Sequence, residues 1–248
     1  MTFFDVLHKI RIYTTNGGVK DTLGIGAFII YFLLLMGIPL WAQAKVKKAY
    51  KKYSKVPNSS GMTGAEVAQR ILHDNGIYDV AVEPVRGQLT DHYDPSKKVV
   101  RLSEGNYSQR TVAAQAIAAH EVGHAMQDAE DYAFLRFRSK LVPAATKGSN
   151  FAFLFIIAGM LLQSQGMLLA GIVFMSAAVL FQVVTLPVEF NASSRAMTQV
   201  VSTGIIKNNE EKETKKVLDA AALTYVAAAL VAVLELVRFI AMYFMMDE

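Results

Sequence analysis

The chain has 248 residues, enough for one large domain or two small ones, and its lack of cysteine excludes disulfides and thiolate metal sites. Hydrophobic residues make up 53% of it and mean hydropathy is +0.29, which excludes an ordinary soluble composition once the clustering of those residues is considered. The net charge of +4 comes from basic clusters beside apolar stretches, so lipid headgroups rather than nucleic acid are their expected partner.

Residues 1–22 form a separate N-terminal segment. Phe3, Phe4, Val6, Leu7 and Ile10 suit an amphipathic helix on a membrane surface, and a disordered tail suits the composition equally well. Residues 23–42 form the first of four predicted transmembrane helices, each near the twenty apolar residues that a bilayer requires. Trp41 closes this span at an interface, and no small-residue cleavage site marks it as a signal peptide. Lys45, Lys47, Lys48, Lys51, Lys52 and Lys55 follow directly.

Residues 43–148 are the main extramembrane domain. Thr63 and Glu66 have the spacing of a capping box, opening a helix that ends at Asn75-Gly76. Residues 80–83 and 98–102 read as strands, with turn residues at 90–96 between them. The second strand is either a core strand or an edge to which an extended peptide could add. Ser108 to Thr111 can then open an alanine-rich helix over 112–127, in which only Gly123 is a weak helix former.

That helix carries His120-Glu121-Val122-Gly123-His124, built from two of only five histidines in the chain. Histidines four apart project from one helix face, where both imidazoles can reach a single Zn²⁺. A glutamate beside the first can take a proton from water, which makes Glu121 the candidate catalytic base. The competing reading, a core helix whose histidines merely bond to backbone, suits a lone histidine better than this pair.

Residues 149–187 form a transmembrane hairpin. Its apolar stretches, 151–162 and 167–186, are joined by Gln163-Ser164-Gln165-Gly166. Pro187 is expected to kink or restart the helix there and to return Glu189 to the extramembrane domain. A catalytic zinc takes three protein ligands and keeps an open position. Without cysteine a carboxylate is a strong candidate third ligand, and Glu189 is the best placed, its alternative being an ordinary interfacial charge. Residues 188–218 are read as further cytoplasmic helices and 219–248 as the fourth span. Glu235 and Arg238, three apart inside that span, can pair on one face. His92, Tyr93, Tyr225 and Arg195 are unranked candidates for an oxyanion stabiliser. Basic residues flank the spans on one side only, apart from a few at the N-terminus, and the hairpin link is uncharged. The positive-inside rule then places both termini outside and the site in the cytoplasm.

His-Glu-Val-Gly-His-Ala-Met-Gln, followed after the hairpin by Leu-Pro-Val-Glu-Phe-Asn-Ala-Ser, resembles the bacterial YugP-type neutral zinc metallopeptidases. Lys-Tyr-Ser-Lys-Val at 52–56, Asp-His-Tyr-Asp-Pro at 91–95 and Ala-Ala-Leu-Thr-Tyr-Val at 221–226 extend the resemblance over most of the chain. The family is similar to gluzincin membrane proteases, with a His-Glu-x-x-His helix and a downstream glutamate. The resemblance implies His120, His124 and Glu189 as zinc ligands and Glu121 as catalytic acid/base. Ser193 departs from the pattern, because related proteases often carry an aspartate at that position.

The expected fold is therefore mainly α: a multi-pass membrane protein with a small α+β, zincin-like cytoplasmic domain that carries the His-Glu-x-x-His helix. The expected function is a zinc-dependent endopeptidase of the bacterial plasma membrane. It would act on membrane or membrane-proximal proteins, with a protein or peptide substrate and the lipid bilayer as partners and no nucleic acid. The alternative is a catalytically silent zinc-binding scaffold or adaptor, which would need no base at Glu121. A transporter is disfavoured because the spans carry few polar groups.

Overall fold

The structure, a computed structural model, describes residues 19–207 and 210–246, with side chains from residue 26 onward. The amphipathic segment expected in residues 1–22 falls almost wholly outside the described residues, as does the acidic end at 247–248. The chain divides into two compact units, residues 1–41 and 42–248. Helix α1 (Val19–Tyr53) runs through the boundary, and its portion in the first unit exposes Phe28, Leu33 and Leu40.

In the second unit α1 is followed by α2 (Gly64–Asp74), β1 (Ala81–Val85), β2 (His92–Asp94), β3 (Val99–Ser103), the short α3 (Glu104–Ser108) and α4 (Val112–Ala129). Three long helices complete it: α5 (Ala133–Leu161), α6 (Gln165–Ser202) and α7 (Glu210–Met245). Helices α1, α5, α6 and α7 are long and apolar enough to cross a membrane.

Local signals explain where the elements begin. The Thr63 hydroxyl accepts from the Glu66 N–H while the Glu66 carboxylate accepts from the Thr63 N–H, so the expected capping box opens α2. The Thr111 side chain caps α4 by accepting from the Ala114 N–H. Buried Val67, Ile71, Leu72, Val100, Leu102, Val112, Val122, Val200 and Leu218 form a core between α2, β3, α4, α6 and α7. Helix α4 runs through this core, buried along nearly its whole length. Alanine makes that possible, because a helix surrounded by other elements needs short side chains on every face.

The sheet has the order β1-β3-β2, with β1 parallel and β2 antiparallel to β3. Residues 99–103 are thus the central strand, both of whose edges are paired. Edge addition of a peptide to that strand, one of the two readings above, is therefore excluded. The expected turn at 90–96 instead contains β2, whose three residues are too few to produce an alternating pattern.

Pro187 does not restart a helix. Helix α6 continues through it to Ser202, so Glu189 and the residues after it lie on the same helix as the third apolar stretch. The α5–α6 link is tight, with Gln163 in the left-handed region at φ 51° and the Ser164 N–H donating to the Gly159 carbonyl at 2.9 Å. Within the fourth span Arg238 Nη2 lies 2.6 Å from Glu235 Oε2, so the two charges pair as expected.

Candidate metal centre

His120 and His124 lie one turn apart on α4, with ring centroids 4.8 Å apart. Opposite them α6 presents Glu189, whose Oε2 is 3.2 Å from His120 Nε2 and 3.5 Å from His124 Nε2. One ligand atom from each residue falls within 4.8 Å of the others, and all three residues are buried, so together they could hold a metal ion.

Gly123 permits this approach. A Cβ built there would meet the Ala192 carbonyl oxygen at 2.5 Å and its Cα at 3.1 Å, so any larger residue would push α6 away from the histidines. The one poor helix former in α4 thus marks where two backbones touch.

The surrounding bonds orient the rings. Gln127 Nε2 donates to the Val188 carbonyl at 2.8 Å and to Asn191 Oδ1 at 2.9 Å, which leaves Gln127 Oε1 facing His124 Nδ1 at 3.0 Å. An amide oxygen only accepts, so His124 Nδ1 carries a hydrogen and Nε2 is the nitrogen that can ligate a metal. That nitrogen faces the Glu189 carboxylate at 3.5 Å. Two imidazole nitrogens with one carboxylate oxygen are a donor set suited to Zn²⁺. The residues therefore fit the ion. Ser193 Oγ lies 3.2 Å from His120 Nδ1, so the serine that departs from the family pattern takes the ring-orienting place.

Sequence reasoning missed Arg138. From the first part of α5 its Nη1 donates to Glu189 Oε1 at 3.0 Å, leaving Oε2 for the histidines. Nothing in its spacing separates it from the neighbouring basic residues Arg136 and Lys140; only the α5–α6 packing brings it to Glu189.

Glu121 is buried on the neighbouring side of α4, where its carboxylate accepts from the Tyr93 backbone N–H. Burial pushes its carboxyl up to about 7, with the Asp91 and Glu189 charges adding to the rise and His120 and the Tyr93 N–H opposing it. Two cavities meet here. One, with about 740 Å³ of space open at its mouth, lies between α1, α4 and α7 and is lined by His120 and Glu121. The other lies between β2, α5 and α6 and includes His124, Arg138 and Glu189. Asp91, Glu121 and Tyr225 line both.

The four unranked oxyanion candidates now separate. Arg195 is committed to Glu130 at 2.6 Å and to Asn191 at 2.7 Å. The Tyr93 hydroxyl donates to Asp128 at 2.8 Å. His92 is exposed, its Nδ1 2.8 Å from the Thr90 carbonyl. Tyr225 hydrogen-bonds to Glu189 and stands where the two cavities join.

Four candidate membrane-spanning helices and a buried group able to bind a metal define a membrane protein with a candidate metal centre. Residues 28–244 match the sequence family described as "Putative neutral zinc metallopeptidase", and the chain belongs to that family. It is also similar to the protein named "Putative membrane protease YugP" of Bacillus subtilis (strain 168), at 56% identity over 216 residues. That match covers 87% of this chain and 96% of the relative. No solved structure matches the chain.

Proposed function

We propose that this protein is a membrane-embedded, zinc-dependent endopeptidase of the gluzincin type, hydrolysing peptide bonds of membrane or membrane-proximal proteins. The observation that carries the reading is the buried His120–His124–Glu189 group with Glu121 beside it at the junction of two cavities. His120, His124 and Glu189 would hold the ion. Zn²⁺, when bound, supplies Lewis-acid polarisation of the scissile carbonyl and makes water acidic enough to react near neutral pH.

Glu121 accepts the proton of the attacking water and returns it to the leaving amine, a role served by a carboxyl poised near operating pH. Tyr225, which lines both cavities, would serve the carbonyl oxygen as it gains charge by turning its hydroxyl hydrogen from Glu189. Gln127 and Ser193 hold the imidazoles in the required tautomer, and Arg138 holds Glu189. The Glu121 side chain favours an enzyme over a silent scaffold, which would gain nothing from a buried acid beside the ligands.

The clustering of lysine and arginine after the first span, before the second and between the third and fourth supports a cytoplasmic site with both termini outside, in a bacterial plasma membrane. A reporter fused after Glu248 that proved cytoplasmic would overturn this orientation.

Metal analysis joined to a peptidase assay on purified protein tests the chemistry. Glu121→Gln is expected to keep its zinc and lose about 10³-fold in kcat, as for removal of a general base. Unchanged hydrolysis would refute the mechanism. Loss of zinc in His124→Ala but not in Glu189→Ala would remove Glu189 from the ligand set.

A further inference from the structure

We propose that the cavity beside Glu121 between α1, α4 and α7 is a specificity subsite that seats an apolar side chain flanking the scissile bond. The inference rests on the peptidase reading and adds a substrate class to it: extended peptides with a residue such as Leu, Ile, Met or Phe at that position. The walls are Val46 and Ala49 from α1, Ile117 from α4, and Val217, Leu218 and Ala221 from α7.

Tyr50, His120 and Thr224 add polar groups to these walls, so the lining is mixed rather than purely apolar. Asp91, Glu121 and Tyr225 also border the cavity that contains His124 and Glu189, so they mark the junction where the reacting bond would lie. A side chain next to that bond and directed away from Glu189 enters the apolar part. Ala49 and Ala221 keep two walls short, which leaves room between α1 and α7 for a branched or aromatic side chain.

Charge sharpens the selection. Both oxygens of Asp91 are engaged, Oδ1 by the Ser103 N–H at 2.7 Å and Oδ2 by the Asn106 amide at 2.9 Å. The Asp91 charge they hold at the junction disfavours an acidic side chain there. Transfer of a side chain from water into such a cavity favours leucine over alanine by about 10- to 100-fold in kcat/KM, and disfavours aspartate further.

The test uses full-length purified protein in detergent and a set of quenched fluorescent peptides differing only at the residues flanking the cleavage site, mapped by mass spectrometry. Wild type is expected to show that 10- to 100-fold preference for Leu over Ala on one side of the bond. Ala221→Phe, which fills the cavity, should cut cleavage of the Leu peptide at least tenfold and leave the Ala peptide near its wild-type rate, with zinc content unchanged. A second readout is calorimetric binding of the Leu and Ala peptides to zinc-loaded Glu121→Gln with and without Ala221→Phe; the Leu advantage should vanish when the cavity is filled. If Ala221→Phe loses its zinc, Ala49→Leu narrows the same cavity from another helix and decides the case. Hydrolysis indifferent to the flanking residues, or a Leu preference that survives the filled cavity, would overturn the subsite alone. Absence of hydrolysis of any peptide by zinc-loaded wild type would overturn the peptidase reading itself.

Discussion

The core around α4 and the far end of the α5–α6 hairpin are both helical and apolar, yet they are held together differently. Around α4, branched and aliphatic side chains from five elements are removed from water, and charged groups tie the periphery. Asp128 alone binds Tyr93, Lys98 and Arg136 at 2.7–2.8 Å. At the hairpin end the buried cluster is small, comprising Ala152, Ile156, Leu168, Ile172 and Phe239. There α5 and α6 approach through glycine: a Cβ at Gly159 would meet the Leu168 backbone nitrogen at 2.6 Å, and one at Gly171 the Ile156 backbone nitrogen at 2.9 Å. Lipid tails are as apolar as the helix surfaces, so close backbone contact replaces the hydrophobic drive available in water. The candidate metal centre sits where the two modes meet, on α4 and on the continuation of a hairpin helix.

The most damaging perturbation should fall at that meeting point. Gly123→Ala forces α6 from α4 by overpacking against backbone. Zinc affinity should fall by more than tenfold and hydrolysis with it. Retention of full zinc content would show that the crossing is looser than the structure indicates.

Removing an orienting bond should cost less. Gln127→Ala frees His124 Nδ1, and zinc affinity is expected to fall about 10- to 100-fold in a chelator competition with the fold retained. An unchanged affinity would remove Gln127 from the positioning of the ring.

Asp128→Asn tests the charged periphery, with an expected loss of about 2 kcal/mol in detergent unfolding. Burial alone would raise the Asp128 carboxyl, but Lys98, Tyr93 and Arg136 outweigh it and hold it below the ordinary value of 3.8. A lowered folded pKa means stability that is fully present above 3.8 and lost as pH falls through the lowered value. The variant should therefore lose part of this acid-induced destabilisation, and an identical acid profile would contradict the assignment.

Gly171→Ala probes the other mode. About 1 kcal/mol should be lost, because Ile156 must give way, with zinc affinity untouched. Zinc loss there would break the separation between the two regions.

Much of this protein is legible along the chain because its signals are local. The capping residues Thr63 and Thr111, the spacing of His120 and His124, and the apolar lengths of the spans each depend on neighbours within a few residues or one helical repeat. Strand β2 was hidden because three residues carry no period. Of the two outcomes expected at Pro187, the restart does not occur, because the i−4 hydrogen bond it removes did not end the helix. Gly123 looked like a defect until Ala192 appeared against it. Ser193, Arg138 and Tyr225 gain their places only from contacts across 36 to 73 residues, and Gln127 is held by Val188, 61 residues on.

Composition, periodicity and the His-Glu-x-x-His spacing by themselves determined four helices long and apolar enough to span a membrane and a helix with a candidate metal-ligand pair. The approach of Glu189 within 3.5 Å of both histidines, the central place of β3 and the cavity beside Glu121 were decided by tertiary structure. Each depends on how separate helices and strands pack, and packing distances are set by side chains remote in sequence.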